Sequence, residues 1–108
     1  MSVTAPAGFR AAGIACGIKP SGDPDLALVV TADGRPVPSA GVFTTTLSTA
    51  APDVTTRAHL AATTGLSVGV VLNSGNANAA TGTQGRADAE RTTALVAAAL
   101  GCRPEEIL

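Results

Sequence analysis

VVLNSGNANAATGTQG, Val70 to Gly85, begins as an apolar strand and gives way to glycine, asparagine, serine and threonine. The residues leading into it, LSVGVVLN from Leu66 to Asn73, predict the clearest buried strand of the chain. From about Gly85 to Leu100 the pattern turns helical: Thr92, Leu95, Val96 and Ala99 recur at three- and four-residue spacing and predict one apolar face. Asp88 and Glu90 are expected near the positive end of that helix dipole, and Gly101 is its stop. Between strand and helix, glycines at 75, 82 and 85 permit tight curvature, while Asn73, Asn76 and Asn78 tolerate left-handed backbone and bond nearby main chain. Two uses follow from these residues: exposed amides that bind an anion or a substrate carboxylate, or asparagine side chains that satisfy buried backbone groups. Residue pattern alone leaves both open. The glycine spacing fits neither a phosphate loop nor a dinucleotide fingerprint.

Upstream, GFRAAGIACGIK (Gly8 to Lys19) has glycines at 8, 13 and 17 and no helical stripe, and reads as a short irregular strand. Ser21-Gly22-Asp23-Pro24 is a turn by composition. LALVVT, Leu26 to Thr31, is an apolar run expected to be buried on both faces. Asp33-Gly34 suits a tight hairpin, which predicts a partner strand over SAGVFTT, residues 39–45. Pro52 and Asp53 suit a helix start, and a short helix is expected from Pro52 to Ala62, with Val54, Ala58, Ala61 and Ala62 on its apolar side and Gly65 ending it. Pro104-Glu105-Glu106 begins another turn of helix. The order implies an α+β class, a mixed sheet with covering helices.

Composition narrows the partners. The chain has 108 residues and an apolar fraction of 45%, but aromatics are only 2%, Phe9 and Phe43. A core of Ala, Val, Leu and Ile buries less area per residue than one built on rings, so such a chain gains from additional protein surface. A net charge of −1 with no Lys/Arg cluster argues against nucleic acid. Neither a long apolar run nor a secretory pattern is evident in the sequence, so no membrane role and a cytoplasmic setting are expected. Cys16 and Cys102 resemble neither a metal clamp nor a disulfide framework, and are read as reduced thiols in or near the core.

Catalytic constellations are sparse. His59 is the sole histidine, has no evident nucleophile, and reads as a solvated or partly packed side chain. Asp23, Asp25 and Asp33 fall in or beside turns, where aspartate bonds nearby backbone. One histidine and two remote cysteines cannot complete a tetrahedral site, so no metal is expected.

Three collinear segments carry a resemblance. NSGNANAATG, Asn73 to Gly82, is similar to the NSGNANACTG signature of the ornithine acetyltransferase family, the bifunctional enzymes of arginine biosynthesis. GFRAAGIACGIK resembles that family's opening strand, and GVFTTTLSTAAP, Gly41 to Pro52, resembles its GVFTTN...AAPV element. Thr46 replaces the family's usual Asn, Asp53 an apolar residue and Ala80 a frequent Cys.

The resemblance implies a multifunctional acyltransferase of amino-acid biosynthesis, made as one precursor that cleaves itself before a threonine into α and β chains. That threonine would carry an acetyl group from N-acetylornithine to glutamate; acetyl-CoA is a further possible substrate, and no other cofactor is implied. The implied architecture is a layered αββα fold. Residues 1–108 would then be a single partial domain, the N-terminal part of the α chain, with the rest of that chain and the β chain as partners in a heterotetramer. The family's oxyanion-hole STGVIG-like segment and its MTTD-like nucleophile segment have no counterpart among these residues. No catalytic residue is therefore assigned here, Thr81-Gly82 included, and the chain alone is expected to be inactive. Asn76 and Asn78 are the side chains expected to face the active-site region. Two alternatives stand beside this reading: a non-catalytic small-ligand or partner-binding module on the same scaffold, and a secondary-metabolism paralogue with another acyl acceptor.

Overall fold

A computed structural model describes residues 2–108. Strand β1 (Phe9–Ile14) pairs antiparallel with β2 (Leu26–Thr31) over six residue pairs, and β2 pairs antiparallel with β5 (Gly69–Asn73) on its other edge. The three-stranded order is β1-β2-β5. Two-residue strands β3 (Val37–Pro38) and β4 (Leu66–Ser67) form a second, small sheet. Helix α1 (Ala51–Ala62) and helix α2 (Gly82–Leu100) follow their expected places, and a 3-10 turn spans Pro104–Glu106.

The Asp33-Gly34 turn forms, with the Arg35 amide donating to Asp33 Oδ1 at 3.1 Å, but the expected hairpin does not. A strand has two edges, and β1 and β5 occupy both edges of β2, so residues 39–45 have nothing to pair with there. Pro36 and Pro38 also remove ladder donors on the way in. Instead the chain leaves the sheet, and Val42 and Leu47 are fully exposed. The N-terminal segment, expected to be irregular, is a regular but exposed edge strand. LALVVT is only half-buried along most of its length, because one face of its sheet is open.

The expected strand over Leu66–Asn73 is broken at Val68. There the backbone switches partners: the Val68 amide donates to Glu106 O at 2.7 Å and its carbonyl accepts from Thr31 N at 2.9 Å. Gly69 follows because a Cβ at that position would lie 2.8 Å from Val30 Cγ1 and 2.9 Å from the Val29 carbonyl. On the outer edge of β5, Leu108 N donates to Gly69 O and Val71 N to Leu108 O, both at 2.9 Å. Gly69 and Ile107 form a parallel bridge, which makes the pairing mixed as the α+β reading required.

Strand alternation puts Leu26, Leu28 and Val71 on one face of the sheet and Phe9, Val29, Val70 and Leu72 on the other. The helices sit over the first face. Val68, Ala97 and Ile107 are its buried apolar centre, with Val71, Val96 and Cys102 packed around them. The second face is open, leaving Phe9 and Leu72 39% and 49% exposed.

Both helices present a face different from the expected one. On α2, Gly85, Ala89, Thr93 and Ala97 turn inward at four-residue spacing; of the expected face Val96 packs against the core and Thr92 lines a cavity, whereas Leu95 is 62% exposed and Ala99 is exposed too. Small residues there let the helix approach α1, so close packing outweighs the larger side chain. On α1, Thr55 is buried while Ala58, Ala61 and Ala62 are exposed. Because α2 begins at Gly82 rather than Gly85, Asp88 and Glu90 fall outside its first turn and lose the dipole role expected of them. Gly101 closes the helix in a left-handed conformation at φ +73, as expected. Of the two free thiols Cys102 borders the core, but Cys16 is exposed, contrary to the core reading.

Candidate functional site

The carboxyl end of β5 and the first turns of α2 enclose, with α1, a cavity of about 410 Å³. Its floor is apolar, formed by Leu26, Val71 and Leu108, and Pro52 and Thr55 of α1 supply one wall. The connecting loop supplies Asn73, Asn76, Asn78 and Thr81, and α2 supplies Gln84, Asp88 and Thr92. Asn76 and Asn78, expected from sequence to face the active-site region, thus both line the cavity.

The loop is held by its own amides. Asn78 Nδ2 donates to Asn73 Oδ1 at 2.8 Å, and Asn76 Nδ2 donates to Asn78 Oδ1 at 3.4 Å. The Ala51 amide at the start of α1 donates to the Asn78 carbonyl at 3.2 Å, which joins the loop to the helix opposite. Gly75 has φ +90 and Ala80 has φ +56, so the turn passes twice through left-handed backbone. The asparagine side chains thus bond one another rather than the buried backbone groups that one reading of the sequence gave them, and all three are among the residues that line the cavity.

Asp88 is the single ionisable side chain among the lining residues, and its Oδ1 accepts from Gln84 Nε2 at 2.9 Å. The other polar side chains of the lining are hydroxyls and amides. Such a surface can hydrogen-bond a neutral amide or carboxylate and can seat one cationic group against Asp88. Thr55, 5% exposed, has its hydroxyl oxygen buried without a hydrogen-bond partner. His59 lies outside this lining; its Nδ1 is 2.7 Å from the Ile107 carbonyl, a structural contact that agrees with a partly packed histidine. Among the described residues no group of three or more metal-ligating side chains occurs, and no helix is long and apolar enough to cross a membrane.

Asp25, read from sequence as a turn aspartate, binds backbone as expected but at longer range. Its carboxylate accepts three amide N–H bonds, from Cys16, Ile18 and Lys19. Those bonds, led by the one from Cys16, hold its carboxyl far below the usual range, and the same carboxylate pushes the Cys16 thiol up. Sequence offered no signal for this reach, because the donors lie six to nine residues earlier.

The cavity-lining loop lies within the part of the chain that matches known proteins. The profile of the ArgJ family matches residues 10–108. An arginine biosynthesis bifunctional protein ArgJ from Mycobacterium bovis is 56% identical over 98 residues, covering 91% of this chain and 24% of that protein. The Gloeobacter violaceus ArgJ is 49% identical over 98% of this chain and 25% of its own length. Among solved structures, the ornithine acetyltransferase of Mycobacterium tuberculosis, complexed with ornithine, superposes with a TM-score of 0.90 at 51% identity, covering 97% of this chain and 55% of the other. ArgJ from Bacillus halodurans superposes at 0.91 with 34% identity, over 99% of this chain and 54% of the other. The chain spans about a quarter of the length of the curated relatives it matches. It shares their α+β fold, and by sequence and fold together it belongs to the ArgJ family.

Proposed function

We propose that the chain is the N-terminal part of the α chain of a glutamate N-acetyltransferase/ornithine acetyltransferase, moving an acetyl group from N-acetylornithine to glutamate in arginine biosynthesis. The acetyl group is carried on a threonine outside these residues, at the new N-terminus of a β chain released by self-cleavage. Residues 1–108 form one partial domain, inactive alone, that completes its core against the rest of the α chain and the β chain in a cytoplasmic heterotetramer. Acetyl-CoA is a second acetyl donor, and no other cofactor is required.

One observation carries this reading. The Asn73–Asn78 loop, the family's signature segment, lines a cavity at the end of β5, in a chain that superposes on an ornithine acetyltransferase complexed with ornithine. Asparagine amides suit the carbonyl of an acetamido group, and Asp88 suits an ammonium. The open sheet face with Phe9 and Leu72 is consistent with a second sheet packing there, as a layered αββα architecture requires.

The test is to express the full reading frame and incubate the product with N-acetylornithine and glutamate. N-acetylglutamate and free ornithine are expected in equal amounts, together with two chains from one precursor and an acetylated threonine in trapped enzyme. Intact precursor with no acetyl transfer overturns the reading and leaves a binding module on the same scaffold.

A further inference from the structure

The bend that delivers Asn76 and Asn78 to the cavity rests on a residue remote in sequence. Asp25 is 3% exposed. Its Oδ1 accepts from the Cys16 amide at 2.7 Å, and its Oδ2 from the amides of Ile18 and Lys19 at 2.6 and 2.8 Å. Its own amide donates to Ile14 O at 3.0 Å, and its carbonyl accepts from Ser74 N at 2.9 Å. Asp25 is thus bonded by its side chain to the loop after β1 and by its main chain to the first residue after β5.

That loop in turn supports Gly75. A Cβ on Gly75 would lie 2.5 Å from Lys19 Cγ and 3.6 Å from Ile18 Cγ2, so the turn sits directly on the side chains whose amides Asp25 holds. Lys19 is not the counter-charge of Asp25: its ammonium donates to the Pro24 carbonyl at 3.0 Å. The Asp25 charge is met by three backbone N–H dipoles, an arrangement that a neutral residue of equal size cannot reproduce. Next in sequence, Leu26 pairs with Asn73, and both line the cavity.

We infer that Asp25 is the positioning residue of the candidate site: its carboxylate folds residues 16–19 into a platform, and its carbonyl ties Ser74 to it, so that the turn at Gly75 aims Asn76 and Asn78 into the cavity. Asp25 is not among the residues that line the cavity and acts through the loop. The kinetic consequence rests on the acetyl-transfer reading; the consequence for loop order does not.

The experiment uses Asp25→Asn in the full-length protein. Asparagine keeps the size and one acceptor oxygen but turns an NH2 group toward at least one backbone N–H, adding a repelling contact where a bond stood. The Ser74 amide is expected to lose hydrogen-exchange protection by about tenfold or more, while amides of α2 near Thr93 and Ala97 keep theirs. Per active site, KM for N-acetylornithine is expected to rise about tenfold with kcat changed by less than about threefold. Combined with Asn78→Ala, the substitution should raise KM no further than Asn78→Ala does alone, because both act through one loop.

Unchanged protection at Ser74, equal loss throughout α2, or additive effects on KM would each overturn the inference. If the unaltered protein transfers no acetyl group, the functional reading fails and the exchange pattern alone decides the positioning role. Should Asp25→Asn not fold, Gly75→Ala strains the same contact from the loop side. Local loss of protection at residues 73–78 is then expected, and its absence counts against the platform.

Discussion

The side-chain amide of Asn78 donates to the side-chain oxygen of Asn73 at 2.8 Å, tying the last residue of β5 to the approach of α2 in the lining of the cavity. The Asn78 carbonyl also accepts from Ala51 N, so one residue links β5, the loop and α1. By contrast Asn76 has a single, longer bond, 3.4 Å, to Asn78.

Asn78→Ala is therefore expected to cost about 1 kcal/mol of stability, and Asn76→Ala about half of that or less. On the proposed reading, the double substitution in the full-length protein should impair self-cleavage or acetyl transfer. Denaturation midpoints and the ratio of cleaved to uncleaved chain read this out; normal processing and activity would remove the loop from the site.

Gly69 lies where β5 turns away from β4, and a methyl group there meets the Val29 carbonyl as well as Val30. Gly69→Ala is expected to destabilise by roughly 1–3 kcal/mol, since the main-chain neighbour cannot rotate aside. Thermal unfolding of the full-length protein should show a drop of several degrees, and an unchanged midpoint would mean that the strands part there without cost.

Ile107 is fully buried, and its carbonyl receives the His59 ring. Truncating it to alanine removes the largest side chain of the small core, with an expected cost of about 2–5 kcal/mol. His59→Ala removes only a hydrogen bond and should cost about 1 kcal/mol. A larger effect from His59 than from Ile107 would contradict the packing described.

The Asp25 carboxyl is held below its ordinary value of 3.8, first by the Cys16 and Lys19 amides. A group whose folded pKa is lowered contributes stability that is fully present above its unfolded pKa and is lost as pH falls through the folded one. The stability difference between unaltered protein and Asp25→Asn should accordingly be constant from neutral pH down to about pH 5 and shrink at more acidic pH. Urea unfolding across that range tests it; a difference that widens on acidification would show the sign to be wrong.

Elements defined by their own residues were legible in sequence. The breakers Pro52 and Gly101 bounded α1 and α2 to within a few positions, because proline geometry and left-handed glycine act locally. Asn76 and Asn78 line the cavity at the end of β5, in the loop between a strand end and a helix start that the sequence located. Partner choice was not legible. Asp33-Gly34 signals a turn and forms one, yet nothing local to residues 39–45 says that β1 and β5 already hold both edges of β2. Likewise the inward face of α2 follows Gly85, Ala89, Thr93 and Ala97, because how closely α1 approaches, not hydrophobicity alone, selects which residues turn in.

What the sequence determined by itself was therefore the identity of the helices, the strand-loop-helix unit from Val70 to Gly85 and, through NSGNANAATG, the family. Tertiary structure alone decided which strands pair, where the run from Leu66 to Asn73 breaks and how Asp25 reaches the loop. The physical reason is range. Helix ends and turns depend on the backbone preferences of adjacent residues, whereas strand edges and a buried carboxylate are satisfied by donors and acceptors that only the folded chain brings together.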